Sequence, residues 1–186
     1  MAAPSEIDIL DVTGRWSLNQ GLSDSLEPCF ALQGIPWIVR KVINFATLEL
    51  QYIKDPPSDA IAAPSFAFKQ TVRPGGFDTT NKYVIDGEKR TDTVPIFGEI
   101  TMHAKYVDRD EVTPEQTLGT GIQGDTTKEV AILEVVESEN MGWRAETLWV
   151  FEMVNGEHRF CKYNIITKEA QRATAKMVYD YIGLPN

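Results

Sequence analysis

Two kinds of hydrophobic pattern divide the chain. From Gly14 to Leu18 apolar and polar residues alternate, which predicts a short first strand. Gly21–Phe45 then reads as two short helices. Ser23 or Asp24 can cap the first, Gly34 ends it, and Pro36 opens the second. The second helix places Trp37, Ile38, Val42 and Phe45 on an apolar side and Arg40, Lys41 and Asn44 towards water. After Ala46 the period falls to two. Thr47–Lys54, Ser65–Val72, Lys82–Ile85, Glu99–Val107, Glu129–Glu137, Trp143–Val154 and Glu157–Ile166 are predicted strands. Turn-rich stretches at Asp55–Pro64, Arg73–Thr80 and Asp108–Asp125 separate them, and Asn155-Gly156 is a two-residue hairpin signal. Ala170, Ala173, Met177 and Tyr181 fall at helical spacing, so a closing helix is expected over 167–183, capped by Thr167 and stopped by Gly183 and Pro185.

So many antiparallel strands must curl, and closure removes exposed edges. The expected fold is mainly β: an antiparallel up-and-down barrel over 14–166, a helical lid at 21–46, and a C-terminal α-helix. All 186 residues fit one domain. Trp143, Ala145, Thr147, Trp149, Phe151 and Met153 form one face of the strongest strand and are expected to turn inward. On the next strand, Arg159, Cys161 and Tyr163 share a face. If that face is interior, the guanidinium needs a carboxylate, a bound anion or water, and Asp86, Glu88 and Glu146 are the candidate counter-charges.

Charge and composition narrow the function. With 18 basic and 27 acidic residues the net charge is −9, and no basic run is present. That excludes a nucleic-acid footprint and opposes an anionic membrane surface. No stretch is apolar enough for a membrane helix, and the N-terminus has no secretory pattern, so a cytoplasmic protein is expected. Cys29 and Cys161 form no disulfide framework. The sequence from Gly119 to Gly124 matches G-x-G-x-x-G but lacks the strand–helix setting of a nucleotide site. His103 and His158 have no ligand-spaced neighbours, so no metal is expected.

Gly14-Arg15-Trp16 resembles the Gly-x-Trp opening of the calycin superfamily, the lipocalins and intracellular fatty-acid-binding proteins. The two helices with Gly34, the Val39-Arg40-Lys41-Val42 segment, and the hairpin from Val154 to Tyr163 resemble the fatty-acid-binding group. The resemblance implies a calycin-type barrel that holds a hydrophobic ligand. It also implies an Arg-x-Tyr pair on the final strand, where Cys161 stands at the Arg position and Tyr163 at the Tyr position. By analogy with calycin-type enzymes, the alternative is a cofactor-free isomerase or cyclase of microbial natural-product (secondary) metabolism.

The candidate ligand walls are Phe66, Phe68, Met102, Tyr106, Thr147, Trp149, Phe151 and Cys161, with Phe30 and Trp37 at the helical portal. Tyr163 and Arg159 are the candidate catalytic donors. The expected partner is a hydrophobic small molecule, with no cofactor, nucleic acid or membrane insertion.

Overall fold

A computed structural model gives the fold and describes residues 1–56, 63–74, 76, 78–94, 96–123 and 130–185. Parts of the loops expected at Asp55–Pro64, Arg73–Thr80 and Asp108–Asp125, with Gly124 and Glu129, lie outside the described residues. Ten strands form one antiparallel sheet: β1 (Gly14–Leu18), β2 (Thr47–Lys54), β3 (Ser65–Arg73), β4 (Thr79–Val84), β5 (Arg90–Val94), β6 (Gly98–Asp108), β7 (Val130–Ser138), β8 (Trp143–Val154), β9 (Glu157–Lys168) and β10 (Gln171–Gly183). Two helices, α1 (Glu27–Leu32) and α2 (Trp37–Phe45), interrupt the meander after β1.

The strand order β4-β3-β2-β1-β10-β9-β8-β7-β6-β5 wraps the sheet into a nearly closed barrel. Closure comes from β1, which pairs with β2 on one side and β10 on the other. The seam lies between β4 and β5. There Ile85 makes a single parallel bridge to Ala104, and the Gly87 N–H donates to the Ala104 carbonyl at 2.8 Å.

The core is largely aromatic. Trp16 is fully buried, donates its indole N–H to the Val12 carbonyl at 3.1 Å, and packs on Phe151, Phe160 and Tyr181. Gly14 precedes it because a Cβ there would lie 2.8 Å from the Tyr181 ring. This cluster plugs one end of the barrel, and Phe160, Tyr52 and Trp149 extend it inward. The helices cover the other end. Cys29 on α1 is buried with Trp143, Ala145, Ile166 and Ala175.

Three expectations are corrected here. The closing helix is strand β10. Its odd-numbered residues face inward, and a spacing of four along Ala173, Met177 and Tyr181 satisfies a strand as well as a helix. The turn at Glu169-Ala170 lacks glycine and asparagine, and Glu169 takes a left-handed φ of 53°, so no hairpin signal marks it. The second helix is inverted: Arg40 and Asn44 bond to Glu27 of α1, while Trp37, Ile38 and Phe45 are exposed. An additional strand, β5, had no signal because Arg90–Val94 has a single apolar residue. Among the described residues, no helix is long and apolar enough to cross a membrane.

Candidate functional site

Between the aromatic plug and the helices lies a cavity of about 300 Å³. Its shape follows from strand register, because directly paired residues of an antiparallel sheet share a face. Four rows cross β7, β8, β9 and β10 inside the barrel. Nearest the helices is an apolar row of Val136, Ala145, Ile166 and Ala173. Below it runs a polar row, Glu134, Thr147 and Asn164, completed by Ala175. Next come Ile132, Trp149, Lys162 and Met177, and then Phe151, Phe160 and Tyr179 as the floor. Phe30, Gln33 and Ile35 contribute from the helical end, and Phe68, Gln70, Asn81 and Met102 from the opposite wall.

The polar groups are organised around one indole. The Trp149 N–H donates to the Glu134 carboxylate at 2.9 Å. The Lys162 ammonium lies 3.6 Å from the centre of the Trp149 ring and donates to the Tyr52 hydroxyl at 2.9 Å. A carboxylate thus sits at the indole edge and a cation on its face, which matches the ring's quadrupole. Glu134 and Lys162 are both buried. Burial pulls the Lys162 pKa down to about 8, and Glu134 opposes the shift. Burial also pushes the Tyr52 and Tyr83 phenols well above their ordinary range. Thr147 donates to the Asn164 side-chain oxygen at 3.1 Å. Near the helical end, the buried Trp143 indole N–H has no hydrogen-bond partner among the described residues.

The structure separates the expected site residues into three groups. Phe30, Phe68, Met102 and Thr147 line the cavity. Phe66, Trp149 and Phe151 are buried in the core beneath it, and Tyr106 packs against that core at partial exposure. Four others lie elsewhere. Trp37 is 61% exposed on α2. Arg159, Cys161 and Tyr163 face outward, because β9 turns Phe160, Lys162, Asn164 and Ile166 into the barrel. Arg159 is bound outside by Asp180 and Glu157. Of its expected counter-charges, Asp86 pairs instead with Arg90 and Glu146 with Arg144. Tyr163 donates to the Glu152 carboxylate at 2.9 Å, with Lys176 2.7 Å from the same oxygen. The Gln123 backbone N–H donates to the other Glu152 oxygen at 2.8 Å, so this cluster fastens the 109–123 segment to the barrel exterior.

Lys162, Glu134 and Tyr52 were missed, and a signal for Lys162 exists. A two-residue turn at Asn155-Gly156 pairs Val154 with Glu157. Counting back along both strands sets Trp149 opposite Lys162. An inward Trp149 therefore requires an inward Lys162. Among the described residues, no cluster of His, Cys, Asp and Glu is arranged to hold a metal.

No protein-family model matches the chain. It is 27% identical over 184 residues to a probable pericyclase, scpY, of Mollisia scopiformis, covering 98% of this chain and 95% of that protein. It is 22% identical over 186 residues to the pericyclase pydY of an Acremonium species, covering 98% of each. Among solved structures, it matches the REP1-NXSQ fatty acid transporter with a TM-score of 0.56 at 16% identity, covering 94% of this chain and 98% of that one. It also matches Echinococcus granulosus fatty-acid-binding protein 1 with a TM-score of 0.57 at 12% identity, covering 92% and 97%. The barrel has the fold of the fatty-acid-binding proteins.

Proposed function

We propose that this protein takes a hydrophobic small molecule into the barrel cavity and catalyses its pericyclic ring closure or rearrangement there. The observation that carries the reading is the cavity itself: an apolar upper wall, a polar row that includes the buried Glu134, and the buried Lys162 in the row below it. The full-length similarity to two proteins named as pericyclases supports the reaction class. Such a reaction redistributes electrons around a ring of atoms and expels nothing. A protein accelerates it by holding the substrate in the folded conformation from which bonds form, away from water. The rows of side chains supply that shape, and α1 excludes water at the open end.

Carriage of a fatty acid is the second reading, favoured by the fold. Against it, no arginine lines the cavity among the described residues, and the residues of the final strand that line it are Met177 and Tyr179. The Arg-x-Tyr carboxylate pair implied by the resemblance is absent from that strand.

The discriminating experiment deletes the gene and compares extracts. A pericyclic catalyst leaves a compound of unchanged mass and altered retention, and catalytic amounts of purified protein convert it to the product. A carrier leaves the isomer pattern intact, and added protein only sequesters material mole for mole. Native mass spectrometry of freshly purified protein then tells whether a small molecule accompanies it.

A further inference from the structure

We propose that Lys162 is the seat of the substrate, and that it selects a molecule bearing an uncharged conjugated carbonyl in preference to a carboxylate. This inference rests on the cavity of the preceding section and adds the chemical class of its occupant. The geometry is specific. The Lys162 amine is buried at the base of the cavity, and its side chain lines that cavity. Its one hydrogen-bond acceptor among the described residues is the Tyr52 hydroxyl, and Trp149 covers one side of the charge. An ammonium has three hydrogens to donate. With one directed to Tyr52, donors remain for a ligand oxygen. Accepting from Lys162 also leaves the Tyr52 hydroxyl hydrogen available as a second donor.

The preference for a neutral carbonyl follows from Glu134. This carboxylate lines the same cavity and accepts from the other edge of the Trp149 indole. The base of the site therefore carries one positive and one negative group. A ligand carboxylate would meet Lys162 favourably and Glu134 unfavourably, and would lose its hydration on entry. A ketone, amide or enone oxygen accepts the same hydrogen bond without adding charge. Donation from a cation to a carbonyl withdraws electrons from a conjugated chain, which makes its double bonds better acceptors in a ring closure.

The titratable groups facing Lys162 are Tyr52 from β2, Tyr83 from β4, Glu134 from β7 and Tyr179 from β10. Burial pushes all three phenols upward, so they keep their protons across the range in which Lys162 loses its own.

Three probes test the proposal by equilibrium titration of tryptophan fluorescence: β-ionone, a conjugated ketone; β-ionylideneacetic acid, a related carboxylic acid; and diphenylhexatriene, a hydrocarbon. At pH 7 the wild type is expected to bind the ketone more tightly than the acid, because Glu134 and dehydration disfavour the carboxylate, and to hold the ketone roughly tenfold more tightly than a Lys162→Met variant does, the scale of one hydrogen bond to a charged group. The ketone absorption band should shift to longer wavelength on binding. The band shift and the ketone affinity should fade as pH rises through about 8, while diphenylhexatriene binding stays constant. Lys162→Met should abolish the band shift and lower the ketone affinity roughly tenfold while still binding diphenylhexatriene and, with Glu134 in place, still disfavouring the acid. Lys162→Arg, which keeps a cation, should retain part of the ketone affinity and of the band shift. A wild type that prefers the acid, or a Lys162→Met protein that keeps the wild-type ketone affinity and spectrum, overturns the proposal. Loss of all three probes from the variant also overturns it, since Lys162 would then be holding the cavity open. None of these readouts requires turnover, so failure of the pericyclic reading is detected separately in the gene-deletion experiment.

Discussion

Lys162 illustrates what a single side chain costs and supplies. Its ordinary pKa of 10.5 falls to about 8 on burial. Between those values the unfolded chain still holds the proton and the folded chain has released it, so stability rises with pH across that window. Below about 8 both states are charged and the whole penalty, roughly 3 kcal/mol, is present. Lys162→Met is therefore expected to raise the melting temperature by several degrees at pH 7, with the gain shrinking towards pH 10. Calorimetry of both proteins at the two pH values measures it. A variant that melts earlier would mean the ammonium is a net stabiliser through Trp149 and Tyr52. Gly14 sets a different limit. Alanine there is expected to destabilise by about 1–3 kcal/mol, because its Cβ would crowd the Tyr181 ring packed against Trp16. Denaturant unfolding reads the loss. The Gly-x-Trp pattern was legible in the sequence, whereas the reason for its glycine lies on a strand 167 residues away.

At the scale of elements, legibility depended on which local signal spoke for each strand. β8 was plain, because alternation and the Asn155-Gly156 turn agreed. β10 was misread, because Lys168, Glu169, Ala170, Gln171, Arg172 and Met177 all favour helix when judged alone. Pairing to both β1 and β9 overrides that preference, since a helix there would leave two sheet edges unpaired. The face of β9 was misassigned because its two sides are almost equally apolar. Its outer side is covered by the 109–123 segment, so Cys161 and Tyr163 are as buried as Phe160. That cover hangs on Glu152, which is fully buried on the exterior of the barrel. Glu152→Gln is expected to cost about 2–4 kcal/mol, as removal of one member of a buried ion pair does. Amide exchange should accelerate over Thr117–Gln123 and remain slow in β7. Probe binding in the cavity should change little, since Glu152 faces away from it.

For the whole molecule, the ring of strands is hydrogen-bonded throughout except between β4 and β5. A cleft at that seam is lined by Asn81, Tyr83 and Met102, which also line the central cavity. The helical end is held by the Arg40–Glu27 pair at 2.9 Å and the buried face of α1. The two ends of the route into the barrel thus differ in how firmly they are closed. Ligand binding is expected to slow amide exchange in β4 and β5 more than in β8, β9 and β10, which are paired on both sides. Equal slowing in every strand would point to a rigid ring with all opening at the helices.

The two thiols lie under different covers. Cys29 is sealed on the inner face of α1 against the barrel, and burial pushes its pKa up to about 11. Cys161 is sealed on the far side of the wall beneath the 109–123 segment, and burial raises its pKa as well. Neither can react with a disulfide reagent until its own cover lifts. The molecule therefore contains two independent chemical clocks, one for the inner lid and one for the outer strap. A ligand that stops the first without slowing the second would locate its own binding place without any label being introduced.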